Sequence, residues 1–252
     1  MLNKKIIANN FSKAASNYDK EAFVQNYAAA EICKIINPFI DNLSDKKIID
    51  LGSGTSAIYK NFSTSNKSQF FEVDLSLAML QKTPNKSSKL IVADIENLPI
   101  KNESFDIIIS SFALQWLQDF NKIFSNFHKI LKKDGILAFC IPTDETLDKL
   151  REASEITGCN FHFNKLPKIT DLEKDLQKCG FLKEIIKSEV VKLDFNGAIE
   201  ALKHFKKTGA TYSEQKKFIT KKQLLNFDQF YLKESDKFTF MWNISYLILR
   251  KI

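Results

Sequence analysis

Arginine is nearly missing from this chain: only Arg151 and Arg250 occur among 37 basic residues. Base and phosphate recognition in nucleic acids leans on the bidentate arginine fork. A net charge of +7 and a pI near 9.0 are therefore read without a nucleic-acid partner. Histidine is equally scarce. His128, His162 and His204 are scattered, and Cys33, Cys140, Cys159 and Cys179 form no CxxC and lie near no histidine at metal-ligand spacing. That argues against a metal site, a catalytic cysteine and a histidine-dependent hydrolase, and suits four reduced thiols. Long apolar runs are absent too. The run at 107–109 is closed by Asp106 and by Ser110-Ser111, well short of the roughly 20 residues of a membrane helix. Near the N-terminus Lys4 and Lys5 precede only three apolar residues before Asn9 and Asn10, too few for a secretory signal. The expectation is a cytoplasmic monomer that uses no membrane. Its 252 residues, 44% hydrophobic and 27% charged, read as a single domain without repeats or low-complexity linkers.

Within that domain the first forty residues read as a helical cap. Ala14, Ala15, Tyr18, Ala22 and the stretch 27–36 recur at helical spacing, and Pro38 marks an end. Short apolar runs at 47–51, 69–73, 89–93, 105–110 and 136–141 read as strands. Amphipathic stretches at 55–62, 76–81 and 119–132 read as helices between them. This alternation predicts an α/β, Rossmann-like, mostly parallel sheet with helices on both faces. Beyond Pro142 the pattern loosens. A helix is expected at 171–178, a strand at 182–195, helices at 196–208 and 221–232, and a final strand at 238–249. The two helices lodged between the last strands, over 196–232, would form a flap across the carboxyl edge of the sheet, where open α/β folds bind ligands.

Seven glycines are few for this length, yet two stand one residue apart in Asp50-Leu-Gly52-Ser53-Gly54-Thr55, after a strand and before a helix. Glycine suits a tight turn whose backbone must approach a ligand. Asp74 ends the next strand 20 residues after Gly54, where a carboxylate accepts from the two ribose hydroxyls of an adenosine ligand. Gly52-x-Gly54-x-x-Ala57 also satisfies the dinucleotide pattern. S-adenosylmethionine fits better, because Asp50 offers a carboxylate to a cationic amine and would repel a pyrophosphate. Asp94, after the third strand, can accept from an adenine amino group.

These segments, with Glu72-Val-Asp74-Leu-Ser76, Ala93-Asp94-Ile-Glu-Asn-Leu-Pro99, Phe105-Asp106 and Leu131-Lys-Lys-Asp-Gly135, resemble the class I S-adenosylmethionine-dependent methyltransferases over 46–141. The resemblance implies that Asp50 and the backbone of Gly52, Ser53 and Gly54 face the methionine end of the cofactor. It places Asp74 at the ribose, Leu75 and Met79 beside the adenine, and Asp94 with the Ile95 backbone at its amino group. Ser111 and Phe112 would face the sulfonium and the acceptor. Ser56 stands where many members carry a third glycine.

The ends of the chain speak to the acceptor. Phe11-Ser-Lys-Ala-Ala-Ser-Asn-Tyr18-Asp19, Ser110-Ser111-Phe112-Ala-Leu-Gln115-Trp116, and Thr208-Gly-Ala-Thr211 with Ile219-Thr-Lys221-Lys222-Gln-Leu224 resemble the malonyl-acyl-carrier-protein O-methyltransferases of biotin synthesis. That family esterifies the free carboxylate of a malonyl thioester. The resemblance implies a catalytic set of Tyr18, Ser111, Phe112, Gln115 and Trp116, and malonyl-acyl carrier protein or malonyl-coenzyme A as substrate. An acidic carrier protein calls for a basic docking surface. Residues 192–233 hold nine lysines against four acids, with Lys203 and Lys207 one helical turn apart, so Lys203, Lys207, Thr211, Lys221 and Lys222 are the expected carrier contacts. Two alternatives stay open at this level: a different small acceptor, such as a quinone precursor or free acid, and a methyltransferase-fold assembly factor for a respiratory complex.

Overall fold

The computed structural model describes residues 3–40, 45–62, 69–84, 86–159, 161, 163–209, 219–232 and 237–252. Three helices open the chain: α1 (Lys4–Ala14), α2 (Tyr18–Glu21) and α3 (Phe23–Ile36). Then β1 (Lys47–Leu51), α4 (Ala57–Asn61), β2 (Gln69–Asp74), α5 (Leu77–Leu80), β3 (Lys89–Val92), β4 (Phe105–Ser111), α6 (Phe120–Ile130) and β5 (Leu131–Pro142) follow. The remainder is α7 (Asp148–Ile156), α8 (Ile169–Lys178), β6 (Phe181–Phe195), α9 (Ala198–Lys207), α10 (Lys221–Tyr231) and β7 (Phe238–Lys251).

The seven strands form one sheet in the order β3-β2-β1-β4-β5-β7-β6, all pairs parallel except those made by β7. Ile48, Ile49, Asp50 and Leu51 are all buried because both faces of β1 are covered. On one face α3, α7, α9 and α10 pack on Ile48, Ile107, Ala138 and Ile248. On the other, α6 and α8 cover Ile49, Ile108, Leu137 and Leu249. Helix α6 shows how the sequence dictates this. Asp119 caps it by accepting from the Lys122 amide at 3.0 Å, and Ile123, Phe124, Phe127 and Ile130 line a single buried face. The chain leaves β1 toward β2 on one side while β4 lies on the other. That reversal opens a crevice at the carboxyl ends of β1 and β4.

Two expectations need correction. The helix expected over 119–132 stops at Ile130, and β5 starts at Leu131 rather than at 136. Lys132 belongs to the strand side, where its ammonium pairs with Asp106 at 2.9 Å. Helix α7, in the stretch where the pattern loosens, was not anticipated. The two helices expected over 196–232 are α9 and α10, and Phe205 of α9 rests on Phe240 and Trp242, which reaches Phe112 beyond β4.

Candidate active site

The crevice holds an elongated cleft with about 970 Å³ of space, part of it open to solvent. Its floor is the turn after β1. The Gly52 and Ser53 amides donate to the Val73 carbonyl at 2.8 and 3.0 Å, tying the turn to β2. Gly52 lies at φ +74°, and any Cβ there would collide with the Cβ of Ala113. Gly54, at φ +55°, donates its amide to Asp74 Oδ2 at 3.0 Å. Ser56 also takes the left-handed conformation, at φ +69°. A side chain there is strained by about 1–2 kcal/mol. Its hydroxyl compensates by donating to the fully buried Glu72 carboxylate, which also accepts from Thr83 at 2.9 Å. The serine in place of a third glycine is thus built into a buried hydrogen-bond network.

Three carboxylates mark the length of the cleft, and each has a different environment. Asp50 is completely buried, and neither of its oxygens has a hydrogen-bond partner among the described residues. Burial first, then the neighbouring Glu72 and Asp74, raises its pKa well above the ordinary carboxyl value. An orphaned buried carboxylate of this kind calls for a cation. Asp74 accepts from the Ser76 amide at 2.8 Å and from Gly54, which leaves lone pairs for further donors. Burial pushes its pKa up against the downward pull of the Ser76, Gly54 and Leu75 amides. Asp94 accepts from Lys4 Nζ at 2.5 Å, the Glu96 amide at 3.0 Å and Asn97 at 3.4 Å. Burial would raise it, but Lys4, Glu96 and Asn97 outweigh that and hold its carboxyl below the usual range. About one of the four lone-pair positions of a carboxylate remains there for an incoming donor.

The sequence reading did not foresee how much of the wall comes from α1. Lys4, Ile7, Ala8 and Phe11 line the cleft together with Met79, Leu75 and Ile95. Lys4 also pairs with Glu96, Ser12 Oγ lies 2.7 Å from Ser76 Oγ, and Phe11 meets Trp116 edge-on at 5.8 Å. These contacts seat the first helix over the end of the cleft nearest Asp94. Tyr18 lines the same cleft, and burial, then Asp74 and Asp19, raises its pKa, so its hydroxyl stays a proton donor at neutral pH. Its neighbour Asp19 faces away and clamps the segment to the loop, accepting from the Thr55 hydroxyl and from Lys60 at 2.6 Å. Gln25, another unforeseen member, lines the cleft, and its buried Oε1 has no hydrogen-bond partner among the described residues.

Ser111, Phe112 and Trp116 line the cleft at and beyond the end of β4, with Trp116 against Phe11 of α1. Phe112 holds φ +51°, a strained conformation for an aromatic residue. It is pinned from both sides: its amide donates to Cys140 O at 3.1 Å, and its carbonyl accepts from Gln115 Nε2 at 2.7 Å. Gln115, expected among the catalytic set, does not line the cleft and instead braces that turn. Burial pushes the pKa of the Cys140 thiol up to about 12, so it stays protonated at neutral pH. Lys203, Lys207, Lys221 and Lys222 are exposed and none reaches the cleft; Lys207 pairs with Glu21 of α2 at 2.8 Å. Thr211 lies outside the described residues. Among the described residues no cluster of histidine, cysteine, aspartate or glutamate is arranged to hold a metal ion.

The donor set fits S-adenosylmethionine. An unpaired buried carboxylate meets the requirement of an ammonium, Asp74 can take ribose hydroxyls, and Leu75, Met79 and Ile95 supply apolar contact for a base. A switch-point crevice with this turn and these carboxylates defines a methyltransferase, and residues 49–139 match the family model described as a methyltransferase domain. The solved YcgJ protein from Bacillus subtilis shares the fold, with a TM-score of 0.64, 14% identity and coverage of 88% of this chain and 98% of that one. A malonyl-[acyl-carrier protein] O-methyltransferase from Buchnera aphidicola is 30% identical over 227 residues, 89% of each chain. One from Gallionella capsiferriformans is 28% identical over 224 residues, 83% of this chain and 76% of that one. The chain belongs to the malonyl-[acyl-carrier protein] O-methyltransferase family.

Proposed function

We propose that the protein transfers a methyl group from S-adenosylmethionine to the free carboxylate of a malonyl thioester on acyl carrier protein, the esterification that primes biotin synthesis. The observation that carries this is the extent of the likeness. It runs over 89% of the chain and of the Buchnera relative, so it reaches past the cofactor core into both the N-terminal helices and the segment between β6 and β7. When bound, the cofactor supplies an electrophilic methyl group on a sulfonium sulfur, which the malonyl oxygen takes up in line as the carbon–sulfur bond breaks.

The residues suit that chemistry. A malonyl carboxyl, with a pKa of about 4, is ionised at neutral pH and needs no general base. The work left to the protein is alignment and exclusion of water. Phe11, Trp116 and Phe112 give the cleft apolar walls. In such a medium an anion and a sulfonium that neutralise each other on reacting are favoured over the separated charges. Tyr18, kept protonated by burial, is assigned to hydrogen-bond the acceptor carboxylate or carbonyl. Ser111, whose hydroxyl lies 3.2 Å from Cys140 Sγ, offers a second polar contact. Methylation of that terminus removes its charge, and with it the desolvation cost that would keep it from an apolar chain-extension site.

The test uses purified protein, methyl-labelled S-adenosylmethionine and malonyl-acyl carrier protein, with unacylated carrier as control. Label on the acyl group that mild base releases as methanol is the expected result. Cofactor binding without transfer would overturn the acceptor assignment while leaving the methyltransferase standing.

A further inference from the structure

A second concave site lies behind the cleft. Asn10, Lys13, Ala14 and Asn17 line it from the end of α1 and the turn into α2, with Lys206 and Lys207 from the end of α9. The two helix ends meet closely: a Cβ at Gly209, which lies at φ +70°, would stand 3.1 Å from the Asn10 carbonyl oxygen. Lys207 is partnered by Glu21, whereas among the described residues Lys13 and Lys206 form no ion pair and no carboxylate lines the groove. Lysines in the last turn of a helix complement its dipole, which accounts for each one singly. It does not account for two unpaired ammonium groups from distant parts of the chain facing one hollow beside asparagine side chains.

From this geometry we infer that the groove is a subsite for a phosphate group carried on the arm of the acyl thioester. This rests on the malonyl-thioester reading above. Segment 10–18 is a partition: Phe11 and Tyr18 face the cleft, while Asn10, Lys13, Ala14 and Asn17 face the groove. A thioester whose acyl end reaches Tyr18 passes its arm over this partition, one helix of about 10–12 Å with its side chains. Both natural carriers bear phosphate at the far end of that arm: the phosphodiester of a carrier protein's phosphopantetheine and the phosphates of coenzyme A. Lys13 and Lys206 supply charge without fixed geometry, and the Asn17 amide supplies a directed donor.

The test compares the Lys13→Ala/Lys206→Ala double variant with the unaltered protein on malonyl-acyl carrier protein, malonyl-coenzyme A and malonyl-N-acetylcysteamine, which carries no phosphate. Two exposed ion pairs lost should raise KM about tenfold for the first two. The third should keep its KM, and kcat should hold on all. An effect on the carrier protein alone would place the lysines against the protein surface and refute a phosphate subsite. Equal effects on all three, or none, would refute it as well. Phosphorus NMR line broadening of phosphopantetheine by the protein, lost in the double variant, is an independent readout that needs no turnover. If broadening is seen but no malonyl thioester is methylated, the acceptor assignment falls and the groove stands. If transfer occurs without broadening, the groove falls and the acceptor assignment stands.

Discussion

Asp50→Asn separates two consequences of one carboxylate. The group is fully buried with no donor among the described residues, and burial first raises its pKa well above the ordinary value. In the unfolded chain an aspartate loses its proton near about pH 3.9. Between that pH and the raised folded value, the folded state binds the extra proton, so stability falls as pH rises through the interval. Each pH unit of elevation costs about 1.4 kcal/mol, and the full cost is present above the folded pKa. Asparagine keeps the shape and removes the titration. The variant's ligand-free Tm should therefore exceed that of the parent at about pH 8, with the difference shrinking toward about pH 5. Cofactor binding should move the opposite way. Removing one partner of a buried ion pair costs about 3–5 kcal/mol, which weakens Kd by roughly two to four orders of magnitude. In the parent, binding the ammonium should also release a proton, so affinity should decline as pH falls through the raised pKa. Calorimetry in buffers of different ionisation enthalpy reads that proton, and the variant should show none. Wild-type affinity in Asp50→Asn, or a lower ligand-free Tm at about pH 8, would refute the assignment of this carboxylate as an unpaired cation site.

Other perturbations test the neighbouring parts. Ser56→Gly relieves left-handed strain but removes a hydrogen bond to buried Glu72, worth about 1.5–3 kcal/mol, so a net loss of about 1 kcal/mol is expected in chemical denaturation. A more stable glycine variant would show that the strain outweighs the bond. Tyr18→Phe should lower kcat/KM for the malonyl substrate about 10- to 100-fold with the cofactor Kd within about twofold, the signature of one lost hydrogen bond to a charged acceptor. An equal loss of cofactor affinity would move Tyr18 from acceptor to cofactor. Lys4→Ala removes the pairs with Asp94 and Glu96 and should weaken cofactor binding by about fivefold or less, given their partial exposure. In the unaltered protein added salt should produce part of the same loss.

The half of the molecule that holds the glycine turn was legible because its signals are local. Strands β1, β2 and β4 are short apolar runs between polar breaks, and Asp74 sits at a fixed interval from Gly54. Helix α7 escaped notice for a physical reason. Leu147 before it is left-handed and provides no side-chain cap, and Leu150 and Ala153 are its only buried apolar residues. The lysines of the flap were visible as composition, but only folding shows Lys13 and Lys206 sharing a hollow. Likewise, Lys4 meets Asp94 across a separation of 90 residues. No periodicity or spacing reports such a contact. Gln115 belongs to the same class: its place in the motif was readable, whereas its bond to the Phe112 carbonyl depends on how the turn after β4 is bent.

The pairing of β6 with β7 runs from Phe181 opposite Lys251 to Phe195 opposite Phe238, so everything from 196 to 237 is the tip of one long hairpin. Its register is anchored by the ladder beneath it and by the pairing of β7 with β5. Doubling the length of such a connection costs only about 0.6 kcal/mol in closure entropy. The segment between these two strands is thus free to be lengthened, shortened or exchanged while the turn after β1 keeps its shape. One sheet can in this way carry hairpin tips of many different lengths, each built on the same two strands.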